Sequence, residues 1–412
     1  GRSIFSSPII SSKHSSFLIG KEDVITGRVV DIQGGVSSIS YVIIPDGYAG
    51  KILIQSQLYP RYHFGDRLEI DCKFILPDNS GYTRYLFVRD IFSVCSFGKI
   101  KKIGESRESR ERKILSDWRL SLNRKISMLW PEPRGSLMAG ILYGERGSIP
   151  KNVKEDFSNS GLTHIVAVSG YNTSIIAAVL LVVFVFVGFW RKQAFWFSVV
   201  SLVLFTFFTG ASASVTRAAT MSIFSMLGIF LGRPARMLNS LLTAAALLLV
   251  ISPRALSDVG FQLSFLATVG VCFVGPLLQK RFWQHDLSGL KKVAVDIFFT
   301  TLGALVSTLP LTIFYFNKIP LLALVANMLV VGFIPFIMFL GFFALLLSFL
   351  FFPAGLLVAF AADIGLRYII WVSDKLSIGS IEFKMPFIFL LLIYFLIIFW
   401  LRNLYKYVQR KN

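Results

Sequence analysis

Two patterns of apolar residues divide the chain. Between Asp23 and Val94 short runs recur, VITGRVVDI, SYVIIP, GKILIQ, DRLEIDCKFI and TRYLFVRDIF. Turn signals separate them at Gly34-Gly35, Pro45-Asp46-Gly47, Gly65-Asp66 and Pro77 to Gly81. Alternating runs bounded by Gly, Pro and Asp predict strands, and about five at this spacing predict a small OB-like barrel. Past Gly161 the pattern changes to long apolar runs near 163–189, 194–209, 214–231, 237–251, 259–278, 293–316, 319–334, 336–352, 354–372 and 386–401. Roughly 20 apolar residues suffice to cross a bilayer. The predicted fold is a multi-pass α-helical membrane domain preceded by a small all-β OB-like barrel. Residues 1–20 read as a tail or connector, 21–97 as the barrel, 98–160 as basic amphipathic and linker helices, and 161–412 as the membrane domain.

Within the third segment, Ile114/Leu115, Trp118, Leu122, Ile126 and Leu129 recur at helical spacing, with Arg119, Arg124 and Lys125 off the stripe. Such a helix fits the bilayer interface. It equally fits packing on the barrel. Pro131-Glu132-Pro133 ends it. Ser148 and Pro150 then mark a further helix start, and Gly161 a stop.

Charge sharpens the division. Residues 1–160 hold 24 Lys/Arg and 17 Asp/Glu, whereas 161–412 hold 18 and 6. A basic excess suits a polyanion, anionic lipid, or the positive-inside bias of membrane topology. Basic clusters fall at Arg191-Lys192, Arg233 with Arg236, Lys280-Arg281, Lys291-Lys292 and the terminal Arg402, Lys406, Arg410 and Lys411. Placing each in the cytoplasm puts residues 1–160 outside the cell. Ten crossings would send the last cluster outside, so one run is not a span. The run 354–372, with Asp363 and Arg367 four apart, reads as interfacial, which leaves about nine spans.

Polar residues inside the apolar runs are the candidate chemistry, because each is costly there unless it faces other helices or water. The stretch GLTHIVAVSGYNTS carries Thr163, His164, Ser169, Asn172 and Thr173, with Gly170 inviting a break that lets backbone line a cavity. His164 can titrate near neutrality, contact a phosphate or cap a helix. Arg217 either faces a wet path, where its fork suits a phosphodiester, or lies near the outer interface. Asp258 and Gln262 share one helical face, and Asp258 is a candidate partner for Arg217 with a structural or gating role. Asn327 is interhelical glue or pore lining. Cys72 and Cys95 can form a disulfide in an oxidising exterior or remain two thiols. Tyr59, Arg61, Tyr62, His63, Tyr82, Arg84 and Tyr85 are either base-stacking groups or barrel core.

Four stretches together resemble the ComEC competence family, the inner-membrane channel that takes up single-stranded DNA. They are GLTHIVAVSGYN from Gly161, GASASVTRAATM from Gly210, SDVGFQLSFLATVGV from Ser257, and Ser307 to Pro335 with its PLTIFYF and NMLVVGFIP parts. They stand in the family's order. The resemblance implies a path for single-stranded DNA lined by the His164 to Ser174 mouth and by Arg217, in contact with membrane lipids. It also implies a cytoplasmic helicase-like motor, an external DNA-receptor protein and a separate nuclease.

Other classes are thinly supported. There is no P-loop, no zinc-type Cys/His spacing, no H-x-H-x-D-H motif and no paired carboxylate beside His164. No enzyme, metal or cofactor is therefore expected. A charged start followed by an apolar run, as in a signal peptide, does not precede the barrel. A secondary transporter or lipid-handling protein, which would show paired broken helices in repeated halves, and a structural scaffold are the alternatives.

Overall fold

The computed structural model describes residues 15, 19–20, 22–34, 39–57, 59–75, 86, 90–105, 110–145, 149–166, 170–209, 213–232, 237–251, 253–283 and 288–411. Two compact units divide the chain. One comprises Gly1–Ala139, Glu145–Pro150 and Pro253–Asp258, the other Gly140–Gly144, Lys151–Ser252 and Val259–Asn412.

The first unit is built on a sheet of β1 (Glu22–Gly34), β2 (Ile39–Pro45), β3 (Lys51–Ser56), β4 (Asp66–Ile75), β5 (Ile91–Ser96) and β6 (Lys99–Glu105). Strand β1 is long, irregular between Val29 and Asp31, and pairs β2 with one part and β4 with the other. That shared strand closes the sheet, because the order runs β1-β2-β3-β5-β4 and back to β1, with β3 and β5 parallel. A five-stranded closed barrel of this order is OB-like. Its core is the inward half of each strand: Val29, Tyr41, Ile43, Ile52, Ile54, Leu68, Ile70 and Phe74 are fully buried.

The fifth wall differs from the sequence expectation. Strand β5 starts at Ile91, near the end of the TRYLFVRDIF run, and β6 extends the sheet past residue 97 along β4. In KIKKIGE, Ile100 packs against the core while Lys99, Lys101 and Lys102 face outward. The alternation is there, but the lysines made it read as basic helix. Cys72 and Cys95 are disulfide-bonded across β4 and β5, with Cα atoms 6.2 Å apart. Closing that chain segment limits the unfolded ensemble, so Cys72→Ser with Cys95→Ser is expected to lower barrel stability by about 3 kcal/mol. Chemical denaturation of the full chain, followed by near-ultraviolet circular dichroism, measures it; an unchanged midpoint would contradict the bond.

Of the stacking candidates, Tyr62 is core: its hydroxyl donates to Ile100 O at 2.8 Å and its ring meets Tyr41 edge-on. Tyr59, Arg61 and His63 are exposed, with Arg61 5.3 Å from the Tyr59 ring centre. Tyr82, Arg84 and Tyr85 lie outside the described residues. Helix α1 (Arg110–Leu129) follows the barrel. Its stripe is half covered, with Ile126 and Leu129 buried and Trp118 exposed.

The second unit is helical. Helix α2 (Arg134–Tyr143) ends in it, followed by α3 (Lys151–Asn159), α4 (Gly170–Phe186), α5 (Arg191–Phe208), α6 (Ala213–Phe230) and α7 (Met237–Ile251). Helix α8 (Val259–Val269) continues through a π-turn, Gly270–Val274, into α9 (Gly275–Phe282). Then come α10 (Gly289–Phe316), β7 (Lys318–Pro320), α11 (Ala323–Val330), α12 (Ile334–Leu350), α13 (Phe352–Leu376), β8 (Ser380–Glu382) and α14 (Phe387–Lys411). Among the described residues five helices are long and apolar enough to cross a membrane: Val259–Phe282, Lys291–Phe316, Ala323–Leu350, Phe352–Gly379 and Phe387–Val408. This is a multi-pass membrane domain.

The later runs are arranged differently from the sequence expectation. The runs 319–334 and 336–352 are one bent helix, because only the 3-10 turn Val331–Phe333 separates α11 from α12. The run read as interfacial is instead the 25-residue α13. It tolerates Asp363 because Arg367, one turn on, donates from Nε to Asp363 Oδ2 at 2.8 Å. Left-handed Asn317 stops α10 and releases β7, which pairs with β8. The ends of α10 and α13 therefore meet where α14 begins. At the far end of α14, Tyr407 faces Arg281 of α9, their ring centre and guanidinium carbon 4.5 Å apart. The helices from α9 onward alternate between these two ends, which brings the terminal cluster beside Lys280-Arg281.

Candidate functional site

The four distinctive stretches are dispersed in sequence, yet contacts within the helical unit join them in a row. The first link is Gly161, at φ 76°. A Cβ there would stand 2.6 Å from Ala323 Cβ and 3.3 Å from Pro320 Cβ, so glycine is required by both backbone and space. Lys318 Nζ donates to Asn159 Oδ1 at 2.9 Å, and the hydroxyls of Ser160 and Ser373 lie 3.5 Å apart. The first stretch is thus docked on the fourth, at the β7–β8 end.

The second link joins the fourth stretch to the third. Tyr315 of α10 donates its hydroxyl to Gln262 Oε1 of α8 at 2.9 Å. The third link joins α8 to α6. Arg217, 6% exposed, donates from Nε to Ser264 Oγ at 2.9 Å and from Nη1 to Thr268 Oγ1. Ser264 and Thr268 are four apart and so share one face of α8. Ser264 spends its proton on Ser214 Oγ, 3.2 Å away, and Thr268 spends its own on Ser264 O, 2.9 Å away. Both hydroxyls therefore turn lone pairs toward the guanidinium. Met221 Sδ lies 3.5 Å from Nη1, and the Phe265 ring centre is 5.7 Å from the guanidinium carbon. Among the described residues no carboxylate pairs with Arg217. Its partners are neutral, so the positive charge is cradled but not cancelled, and an incoming anion would add Coulombic attraction to hydrogen bonding.

The sequence-predicted residues separate into distinct environments. Thr163 and His164 are exposed. Ser169 lies outside the described residues, and Gly170 opens α4. Asn172 and Thr173 are buried, and Asn172 Nδ2 donates to Ile141 O at 3.2 Å, which satisfies a carbonyl of the last turn of α2. Ala219 and Met226 of α6 pack with Ala177 of α4, whereas Arg217 faces α8. Opposite faces of α6 thus serve the two groups. Asp258, offered as the partner of Arg217, precedes α8 at the N-cap position and belongs to the first compact unit. Asn327 is buried and bonds within its own helix, Nδ2 to Ala323 O at 2.8 Å. Sequence reasoning missed Thr268 and Tyr315. The i,i+4 spacing of Ser264 and Thr268 inside an apolar run was the available signal for the first; nothing in the sequence pointed to Tyr315.

Helix α3, which leads into the first stretch, holds a pH-sensitive group. Burial raises the Asp156 carboxyl above the usual range, and the nearby Asp374 and Glu155 charges raise it further, against a hydrogen bond from Ser377. A raised folded pKa means that the folded state binds the proton more tightly. The resulting penalty is absent in acid and sets in as pH rises through that pKa. Asp156→Asn is therefore expected to melt above wild type at neutral pH, with the gap closing in acid. Melting curves in detergent across that range check it; parallel curves would contradict it.

Comparison with known proteins bears on the same residues. A family model described as Competence protein matches residues 141–406, which contain all three links. The ComE operon protein 3 of Bacillus subtilis (strain 168) is 26% identical over 261 residues, covering 63% of this chain and 32% of that protein. The chain thus matches about a third of the relative's length. No solved structure matches. With the model covering well over half of its residues, and with the four matching stretches in contact, the chain belongs to the competence protein family.

Proposed function

We propose that this chain forms the membrane path by which single-stranded DNA enters the cytoplasm during natural transformation. The observation that carries the reading is Arg217: a buried guanidinium, hydrogen-bonded by hydroxyls and by no carboxylate among the described residues, at the contact of two family stretches. Such a group suits a passing phosphodiester, since its fork offers parallel donors and the neutral hydroxyls let the anion leave again. Arg217, with the exposed His164, would contact the strand. Asp258, Gln262 and Asn327 hold structure or gate it.

About nine crossings fit this reading, with α4 to α7 adding four to the five longer helices. The barrel and residues 1–160 then face the exterior. The Cys72–Cys95 bond supports that side, because disulfides persist in oxidising compartments. The chain itself performs no catalysis in this scheme. A helicase-like motor inside, a DNA-receptor protein outside and a separate nuclease complete the route. The test is entry of labelled DNA into transformable cells that carry the full-length protein with Arg217→Met. Normal membrane level with undiminished entry would sink the proposal and leave a scaffold or a lipid-handling protein.

A further inference from the structure

The end of the helical unit away from β7–β8 gathers cations that the DNA path does not use. Helices α9, α10 and α14 meet there over Val274, Leu278, Phe299 and Leu404. Gln279 Nε2 donates to Asp296 Oδ1 at 2.8 Å, tying α9 to α10, and the stack of Arg281 on Tyr407 ties α9 to α14. At this junction stand Lys280, Arg281, Lys291, Lys292, Arg402 and Lys406, all but Arg281 exposed. Among the described residues none of the six makes an ion pair, and the one described acid of the junction, Asp296, is bonded to Gln279. Six cations against one described carboxylate leave the junction net positive, so an anion from outside the chain stabilises the assembly.

Two observations identify that anion's source. The cations adjoin exposed Trp283, Tyr405 and Tyr407, the ring types that settle at the headgroup level of a bilayer. Helix α14 is also the most peripheral of the five long helices, with 11% of its span buried against 28–39% for the others. A path for a polyanion would run between buried faces. This cluster instead borders the surface that lipid covers.

We propose that the junction of α9, α10 and α14 is a binding site for the headgroup of an anionic phospholipid. The phosphate is held by the lysines and arginines of the three helix ends, and the acyl chains lie along the apolar flank of α14. The site requires only that the domain is in a membrane, so it stands or falls independently of DNA passage.

The test uses the full chain released from nanodiscs and examined by native mass spectrometry. Wild type is expected to retain phosphatidylglycerol over phosphatidylcholine. Lys291→Gln with Lys292→Gln removes two exposed charges and is expected to weaken that retention about thirty-fold. Lys151→Gln with Lys154→Gln, on α3, should leave it unchanged. Equal retention of both lipids, or retention indifferent to the first pair, overturns the site. Loss of single-stranded DNA binding with lipid retention intact also overturns it, and would assign the cluster to nucleic acid.

Discussion

Gly303→Leu is expected to yield no folded protein. On α10, a Cβ at Gly303 would lie 2.5 Å from Gly270 O, 2.5 Å from Gly275 N and 2.8 Å from Gly275 Cα. All three are backbone atoms of the π-turn and the start of α9, so no side chain can swing away. The approach is reciprocal, since a Cβ at Gly270 would strike Gly303 O and Ala304 Cα. In a bilayer, helices associate through such close backbone packing rather than through the hydrophobic effect, so separating them forfeits the attraction as well as creating strain. One added methyl costs about 1–3 kcal/mol in a packed interior. Four carbons exceed what a marginally stable fold can absorb. Gly303→Ala should lower the melting midpoint measured by size exclusion after heating, and Gly303→Leu should not elute as a single species. Gly104→Ala, at a position with open space and no positive φ, should behave as wild type. A well-behaved Gly303→Leu protein would refute the spacing of α8 to α10.

For Arg217 the expected loss lies in transport and not in folding. Replacing it by Met keeps length and removes charge, and a buried cation without a counterion is itself a burden of ~2.5–3.5 kcal/mol on insertion scales. Stability should therefore hold or rise slightly. A lost charge-assisted contact with phosphate amounts to about 2–3 kcal/mol, so DNA entry should fall ~30–150-fold. Arg217→Lys retains charge but cannot span Ser264 and Thr268 together, and should give an intermediate loss. If Met and Lys variants melt early and transport in proportion to the protein that remains, Arg217 is structural. Membrane level measured beside entry separates the outcomes.

Legibility in the sequence followed burial periodicity. Four barrel strands were readable because Leu68, Ile70, Cys72 and Phe74 alternate with polar neighbours in β4, and short apolar runs bounded by turn residues mark the others. Strand β6 was not, because its outward face is mostly lysine. The helical runs were readable by length. That 319–334 and 336–352 form one bent helix was not, because a single 3-10 turn leaves the same apolar composition as a loop between two spans.

What the sequence by itself determined, then, is where apolar faces lie, which residues are too polar for their surroundings, and that four stretches belong together as a family signature. Only the tertiary structure decided what covers each face: that Arg217 rests on Ser264 and Thr268, that Asn172 closes the end of α2, and that Gly161 admits Ala323. Periodicity is a property of one element's own turn or pleat. Partnership depends on where a second element, often more than a hundred residues away, is brought by the packing of all the others.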